Sequence, residues 1–222
     1  MPMKLVSVNV SLPLEVQHGS RVVQTGIFKK PVTGPVRVHS CNLEGDGQAD
    51  LNNHGGEHKA VYAYSLDHYD YWRGVLNRKE MPYGQFGENI TVSGLDEQES
   101  CVGDQLRIGT ALVTITQPRV PCFKLGIRVG DERMPKLFSE SARTGFYLRV
   151  LQEGVIEVED SVDLVERGRG HVTVRTLFEA YMRPTDKDAA QTLTQGLEVP
   201  ELSPDWRASI TKRLRHRQEC AS

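Results

Sequence analysis

Cysteine is scarce in this sequence: its four copies, Cys41, Cys101, Cys122 and Cys220, are spread over the chain. No two of them form a CxxC pair, which argues against a zinc ribbon and against a thioredoxin-like redox motif. The sequence also lacks an export signal, and we therefore expect the cysteines to be mostly reduced thiols. The question is then whether any single cysteine has chemistry of its own.

A long apolar run and an excess of either charge are missing as well. The 27 basic and 29 acidic residues leave a net charge of -2, which gives no electrostatic argument for a nucleic-acid or membrane-surface partner. No uninterrupted apolar stretch approaches the roughly 20 residues of a membrane span. The first residues, Met1–Val6, turn directly into an alternating strand-like pattern instead of a signal peptide. We therefore expect a cytoplasmic protein with no nucleic-acid or membrane partner.

Short β-prone segments, interrupted by glycine and proline, run from residue 1 to about residue 167. Gln105–Ile108 and Ala111–Thr116 flank a Gly-Thr loop of the kind that a type II′ hairpin favours. Further on, Val155–Val165 alternates apolar and acidic positions, which predicts one strand. Many short strands at such spacing are typical of a sandwich or a barrel. The inserted helices predicted in this part of the chain are Asp67–Leu76 and Glu132–Ser139.

The character of the sequence changes at the Arg-Gly-Arg-Gly run that follows the last β-prone segment. Beyond it, Thr173, Thr185 and Ser203 are residue types that cap helix N-termini, and each precedes a helical pattern. The sequence therefore predicts a mainly β domain over residues 1–167 and a small three-helix extension over residues 168–222. The predicted helices are Val174–Met182, Asp186–Gln195 ending at Gly196, and a helix from Pro204 to about Arg217.

The segment that follows the predicted hairpin, Gln117–Leu125, carries the most informative cysteine. Cys122 lies just past a strand end, and Arg119 and Lys124 place positive charge on either side of it. Nearby cations lower the pKa of a thiol and favour the thiolate, which is the form that binds metals or attacks electrophiles. A thiolate is also a soft donor for thiophilic metals. On these residues alone, the alternative is a buried structural cysteine with two surface cations beside it.

A second segment, residues 45–61, is rich in glycine, aspartate and asparagine. His54, Gly55 and Gly56 would let the backbone approach a ligand closely, because glycine has no side chain. Backbone amides there, together with Lys59, could hold an anion such as phosphate. On composition alone, the alternative is a turn-rich surface loop.

Glu88 and Asn89, directly before a further strand-like segment, form a third candidate site. Their side chains could orient a ligand or hydrogen-bond a turn. The sequence has neither a GxGxxG fingerprint nor a P-loop, so a nucleotide site of familiar kind is not indicated. No serine lies in a nucleophile-elbow pattern, which leaves Ser-His-Asp catalysis unsupported.

Taken in this order, the segments resemble the MOSC domain, named after the C-terminal domain of molybdenum cofactor sulfurase. The resemblance extends to Gly145–Tyr147 and to the helices after Gly170, so it spans nearly the whole chain. It is strongest for the bacterial YiiM-type members, which add a three-helix C-terminal extension. The resemblance implies a mainly β fold: a MOSC-type β-barrel with inserted short helices, followed by that extension.

The resemblance also implies a molybdenum cofactor, with Cys122 as the catalytic residue and as the protein's ligand to the metal. The other sulfur donors would come from the dithiolene of the molybdopterin. Members often carry Pro-Asp where this chain has Glu57-His58, so His58 is given no role. The residues implied to bind the cofactor or to shape its pocket are His54, Gly55, Gly56, Lys59, Glu88, Asn89, Arg119 and Lys124.

YiiM-type members are similar to the amidoxime-reducing components, which implies an oxidoreductase acting on N-hydroxylated compounds such as hydroxylaminopurines and amidoximes. The chain has no flavin, haem or iron–sulfur signature, so its electrons would come from a separate reductase. The extension could serve as the docking surface for that reductase, as packing, or as a homodimer contact.

Two other functions use the same residues. The first is sulfur transfer, in which a persulfide on Cys122 would be delivered to the cofactor. The second is a non-enzymatic carrier that binds the cofactor and passes it on. Reduction and sulfur transfer both need a reactive thiolate in a basic pocket, so the sequence does not separate these two, and it leaves the carrier open as well.

Overall fold

The structure is a computed structural model, which describes residues 2–49 and 55–221. Within these ranges the chain forms twelve strands, six helices and a short 3₁₀ helix at Glu57–Lys59. The strands are β1 (Met3–Val10), β2 (Leu14–His18), β3 (Arg21–Thr25), β4 (Lys30–Val32), β5 (Val36–Val38), β6 (Val61–Ser65), β7 (Ile90–Ser93), β8 (Gln105–Ile108), β9 (Ala111–Pro118), β10 (Phe146–Gln152), β11 (Gly154–Ile156) and β12 (Ser161–Glu166). The helices are α1 (Asp67–Val75), α2 (Phe123–Val129), α3 (Met134–Ser141), α4 (Val174–Met182), α5 (Ala189–Glu198) and α6 (Pro204–Ala221).

Seven of these strands form a closed barrel in the order β12-β8-β9-β10-β6-β7-β1, and the pairing of β1 with β12 closes it. Neighbouring strands are antiparallel except β6 and β7, which are parallel. Closure pairs both sides of each barrel strand, and the apolar faces of the strands meet inside. The prediction of a mainly β barrel with inserted helices and a three-helix extension is thereby confirmed.

β9 contains an extra residue, Thr116, close to the end of the barrel. Leu148 of β10 lies opposite Ile115, but the preceding residue of β10, Tyr147, lies opposite Gln117. Side chains alternate along a strand, so the extra residue turns Gln117 to the same side as Tyr147. That side faces away from the barrel core, in which Ile115 and Leu148 are fully buried.

The predicted strand over Val155–Val165 is wrong, because the chain turns in the middle of it. β11 pairs with β5 in a separate ribbon, whereas β12 pairs with β8 and β1 in the barrel. The Asp160 carboxylate accepts a hydrogen bond of 2.7 Å from the Glu157 N–H and holds the turn, and Glu159 has a left-handed φ of 77°. Alternating apolar and acidic residues continue through this turn, so the pattern alone did not reveal it.

Two of the three extension helices begin at the predicted caps. Thr173 Oγ1 accepts a hydrogen bond of 3.1 Å from the Thr176 N–H at the start of α4. Ser203 Oγ accepts one of 3.2 Å from the Trp206 N–H at the start of α6, which continues to Ala221. Caps are local interactions, so neighbouring residues are enough to predict them.

The middle helix differs from its prediction. α5 begins three residues later than expected, with Asp188 rather than Thr185 at its N-cap, and it runs on through Gly196. A Cβ at Gly196 would lie only 2.8 Å from Leu177 Cδ1 of α4. The glycine therefore allows two helices to approach each other, and does not end α5 as the sequence predicted.

Helix α2 was not predicted at all, and it begins directly after Cys122. Gly126 in its middle weakens the helical signal, since glycine is a poor helix former. The chain folds back over this position, so that a Cβ on Gly126 would lie 3.2 Å from the Asp131 carbonyl oxygen. α3 begins two residues later than predicted.

Helices α4, α5 and α6 pack around a second apolar cluster, which includes Leu177, Phe178, Leu193 and Ile210 and to which residues 102 and 142 also belong. None of the helices in the described ranges is both long and apolar enough to cross a membrane. The division of the chain into domains at residues 167 and 168 stays a prediction.

Candidate functional site

A cavity of about 630 Å³, part of it open to solvent, lies where β9 ends and where β6, β7 and β10 begin. We call it the Cys122 cavity. It brings together residues from six separate parts of the sequence, because this end of the barrel collects the loops between the strands. The predicted site residues that line it are Lys59, Asn89, Arg119, Cys122 and Lys124.

Cys122 is half-buried in the wall of this cavity, between the end of β9 and the first turn of α2. Its thiol is close enough to Arg119 and Tyr147 to influence the pKa of both side chains. Burial is the main cause that raises the pKa of the Tyr147 phenol, and the neighbouring thiol raises it further. Tyr147 therefore stays a neutral phenol beside the sulfur at physiological pH.

Arg119 is a buried cation held rigidly beside Cys122. Its Nη1 donates hydrogen bonds of 2.9 Å to the Tyr62 hydroxyl and to the Phe86 carbonyl oxygen, and its guanidinium carbon lies 4.6 Å from the centre of the Tyr62 ring. Burial pulls the pKa of Arg119 down, but the Tyr62 and Tyr147 phenols and the Cys122 thiol more than offset it and raise that pKa. A permanent cation next to a thiol favours the thiolate.

A buried polar network forms a further part of the wall. Lys29 makes an ion pair with Asp46, whose second carboxylate oxygen accepts a hydrogen bond of 2.9 Å from Asn89 Nδ2. Asn89 Oδ1 in turn accepts one of 3.0 Å from the Tyr62 N–H. Burial is the main cause that lowers the pKa of the Lys29 ammonium, although Asp46 acts in the opposite direction. Asn89 thus joins the start of β6 to the ion pair.

Sequence reasoning missed Lys29, Tyr62 and Tyr147 as wall residues. Lys29 belongs to no motif, and the two tyrosines lie within strands, where aromatic residues ordinarily signal core packing. Asp46 was part of a segment that the resemblance used, and it was not assigned a role. Only the pairing of distant strands places these side chains at one cavity.

Glu88 lies behind the wall rather than in it. Its carboxylate is fully buried and accepts hydrogen bonds from the Gly84 N–H (2.8 Å), the Phe86 N–H (3.0 Å), the Thr91 hydroxyl (3.1 Å) and the Tyr69 hydroxyl. Burial raises the pKa of Glu88 above its usual value. The carboxylate fixes the loop that carries the neighbouring Asn89 into the cavity.

The glycine-rich segment contributes to the cavity wall through residues 46–49 and 59–60. The Gly56 N–H donates a hydrogen bond of 2.9 Å to Gln48 Oε1, and Gln48 lines the cavity, whereas Gly55 and Gly56 do not. Lys59 Nζ lies 2.7 Å from Asp205 Oδ2 of α6. His54 was predicted to bind the cofactor, and it lies outside the described residues.

The Cys122 cavity combines one soft sulfur donor with several cations. Lys29, Lys59, Arg119 and Lys124 are all largely buried at its wall. Within residues 2–49 and 55–221, no three His, Cys, Asp or Glu side chains lie together in a way that could hold a metal ion. The described wall therefore suits a ligand that carries both a thiophilic atom and an anionic group such as phosphate.

Comparison with known families identifies the class of protein to which this fold and this cavity belong. Residues 50–163 match the model of the MOSC domain, and the chain belongs to that family. Residues 172–217 match a second model, the YiiM-like 3-alpha helix domain, which covers most of α4, α5 and α6. The resemblance recognised in the sequence is thereby confirmed.

Individual proteins are similar to this chain over much of its length. The Bacillus subtilis protein YflK, named as uncharacterised, is 37% identical over 209 residues, which are 94% of this chain and 93% of YflK. The crystal structure of YiiM from Geobacillus stearothermophilus superposes with a TM-score of 0.80 at 38% identity and covers 96% of this chain and 100% of that one. A protein of Gibberella moniliformis named Reductase is 34% identical over 148 residues, which are 65% of this chain and 26% of the fungal protein.

Proposed function

We propose that the protein binds a molybdenum cofactor in the Cys122 cavity and reduces N-hydroxylated compounds such as hydroxylaminopurines and amidoximes. The observation that carries this proposal is the position of Cys122 beside the buried Arg119, in one cavity with Lys59 and Lys124, on a MOSC fold. The donor set fits such a cofactor, because it offers a thiolate for a thiophilic metal and cations for the pterin phosphate.

Each predicted site residue has a definite task in this proposal. The Cys122 sulfur ligates the metal, and Arg119 keeps it in the thiolate form. Lys59 and Lys124 bind the phosphate, with the backbone around His54, Gly55 and Gly56 as the predicted further donors. Glu88 and Asn89 shape the pocket through their hydrogen bonds to the loop and to Asp46.

The reaction converts R–NHOH, two electrons and two protons into R–NH₂ and water. When bound, the reduced cofactor would supply the two electrons that cleavage of the N–O bond requires. The protein supplies protons and positions the substrate. Lys29 Nζ carries a proton at the cavity wall, and the lowered pKa of its ammonium makes it a stronger acid than an exposed lysine. Its partner Asp46 stabilises the charge until that proton is transferred.

The electrons come from a separate reductase in this proposal. The fungal relative named Reductase supports it, because the matched segment makes up only 26% of that protein. A MOSC-like segment thus occurs there as a part of a much longer chain with a redox name.

The proposal is tested by metal analysis of protein made in a cofactor-competent host. Wild-type protein should contain molybdenum in stoichiometric amount, and Cys122→Ser should be folded and contain less than about a tenth of it, because a hydroxyl is a poor ligand for a soft metal. Cys41→Ser is the matched control, since Cys41 is exposed and lies outside the cavity wall. Anaerobic turnover of a hydroxylaminopurine with reduced dye should follow the metal content.

Other outcomes would contradict the proposal. Full metal content in Cys122→Ser would remove Cys122 as the ligand. A holoprotein without turnover of any N-hydroxylated compound would indicate a cofactor carrier. A persulfide on Cys122 in protein without metal would indicate sulfur transfer.

A further inference from the structure

A second cavity lies between the barrel and the helical extension, beside the Cys122 cavity. It has a volume of about 610 Å³, part of it open to solvent. Lys59 and Tyr147 line both cavities, so the two adjoin. The barrel contributes Lys59, Gln117, Val120 and Tyr147 to its wall, and the extension contributes Tyr181, Asp205, Trp206 and Ser209. We call it the junction cavity.

The extra residue in β9 builds the barrel side of the junction cavity. It turns Gln117 to the same side as Tyr147, away from the barrel core. The Thr116 carbonyl oxygen accepts a hydrogen bond of 3.3 Å from the Ser203 N–H, and the Thr116 hydroxyl donates one of 2.7 Å to the His58 carbonyl oxygen. The start of α6 is therefore attached at the point where the strand is irregular.

Gln117 carries a buried acceptor that the described residues do not satisfy. The residue is 4% exposed, and its Oε1 has no hydrogen-bond partner in the part of the chain that the structure describes. A buried polar atom without a partner is costly, and a ligand that fills a cavity is one way to satisfy it. An N–H donor on such a ligand fits this atom.

The extension side of the junction cavity is aromatic. The rings of Tyr181 and Trp206 lie 4.6 Å apart, and Trp206 is only 5% exposed, so this wall is rigid. Arg213 lies over the Tyr181 ring, with its guanidinium carbon 3.9 Å from the ring centre, so the parts of the two rings that line the cavity can meet a flat ligand ring in edge-to-face contacts. Asp205, which is paired with Lys59, adds a carboxylate to the rim. The wall thus combines aromatic side chains with acceptors for N–H groups.

We propose, on the premise of the proposed function, that the junction cavity binds the planar, N–H-bearing heterocycle of the substrate. The N–OH group would then reach past Tyr147 and Lys59 into the Cys122 cavity. The extension would contribute half of the substrate site, and it would make the enzyme prefer aromatic N-hydroxylated bases over small aliphatic ones.

The test fills the junction cavity without disturbing the core. Ser209 is half-buried at the cavity wall, so Ser209→Phe places a ring inside it. The matched control is Ala208→Phe, which puts the same ring on the exposed side of the same helix. Binding of adenine to the full-length protein, measured by calorimetry, should weaken at least tenfold in Ser209→Phe and less than twofold in Ala208→Phe.

A second cavity-filling variant provides the same test if Ser209→Phe does not fold. Val120→Phe fills the same cavity from the barrel side, at a residue that is 42% exposed, and should weaken adenine binding in the same way. Cys122→Ser, which lacks metal on the proposed function, should bind adenine with an unchanged Kd. Adenine binding requires neither cofactor nor turnover. A measurement in Cys122→Ser therefore tests the junction cavity even if the proposed function is wrong.

Turnover gives an independent measure of the same site. The ratio of kcat/KM for a hydroxylaminopurine to that for acetamidoxime should fall at least tenfold in Ser209→Phe and stay within twofold in Ala208→Phe. The inference is overturned if wild-type protein does not bind adenine at millimolar concentration, or if both cavity-filling variants bind it as wild type does. An equal loss for both substrates would also overturn it.

Discussion

Glu88 is a fully enclosed carboxyl group behind the Cys122 cavity, and burial raises its pKa above the usual 4.5. Its two oxygens hold two backbone N–H groups and two hydroxyls of the loop and strand around it. Hydrogen bonds to the carboxylate oppose the effect of burial, but burial is the larger of the two. Ionisation of Glu88 therefore makes the stability of the structure around the Cys122 cavity depend on pH.

We expect Glu88→Gln to remove a part of the pH dependence of stability. The unfolded chain ionises this carboxyl near pH 4.5, whereas the folded protein ionises it only at higher pH, so wild-type stability falls as pH rises through that window. The glutamine does not ionise. The free energy of unfolding of wild type minus that of the variant should therefore decrease from pH 4 upward and then level off.

Urea denaturation in steps from pH 4 to pH 8 measures this difference. Glu44→Gln, at an exposed position, controls for the loss of one carboxylate. The variant should also be less stable by about 1–3 kcal/mol, because its amide group cannot accept all the hydrogen bonds that the carboxylate does. A difference that rises with pH would show that the hydrogen bonds, and not burial, control this group.

At the scale of elements, two helical glycines have opposite surroundings. Gly196 of α5 faces Leu177 of α4, where a Cβ would lie 2.8 Å from a methyl carbon. Gly74 of α1 has no atom within 4 Å of the place where its Cβ would be. Leu177 is fully buried in the cluster of the extension, so its side chain has little room to move. Helix propensity alone would treat the two positions alike.

We expect Gly74→Ala and Gly196→Ala to change stability in opposite directions. Alanine at position 74 should raise the free energy of unfolding by about 0.5–1 kcal/mol, because the unfolded chain loses flexibility. At position 196 the same gain is outweighed by crowding against Leu177, which costs about 1–3 kcal/mol. Thermal or urea denaturation of the two variants measures both effects. Equal stabilisation in both would mean that α4 and α5 can move apart at no cost.

At the scale of the whole molecule, the barrel and the extension share their cores. Val174, from the first turn of α4, belongs to the apolar core of the barrel. Val102 and Ala142, which precede the extension in the sequence, belong to the cluster formed by α4, α5 and α6. Each core therefore lacks a part of its packing when the other unit unfolds, and separate unfolding would expose apolar surface in both.

We expect a single cooperative unfolding transition for the two units. The chain has two tryptophans, Trp72 in α1 and Trp206 in α6, and each reports on one unit. Fluorescence of the variants Trp206→Phe and Trp72→Phe, each checked against its own far-UV circular dichroism, should give coincident midpoints. In Trp72→Phe, the fluorescence of Trp206 could instead change at lower denaturant concentration than the far-UV circular dichroism. Such separate transitions would show that the extension is an independent domain.

The features that the sequence predicted correctly depend on residues close together in the chain. The caps at Thr173 and Ser203 are satisfied within three residues, and the hairpin of β8 and β9 turns at a Gly-Thr loop. The order of the short motifs identified the family, and with it the closed barrel. Of the predicted cofactor residues, Lys59, Asn89, Arg119 and Lys124 meet at the cavity of Cys122.

Only the tertiary structure decided which other residues meet them. Lys29 and Tyr147 reach the cavity because strands far apart in the sequence pair in the barrel, and no local pattern encodes that pairing. The role of Gly196 and the turn of Gln117 toward the extension depend on neighbouring elements in the same way. The sequence by itself determined the family and the local helix starts, since these rest on short motifs and short-range interactions, whereas the reactivity of Cys122 stays a prediction. The walls of both cavities depend on contacts over long distances in the chain, which exist only once the barrel has closed and α6 has packed against it.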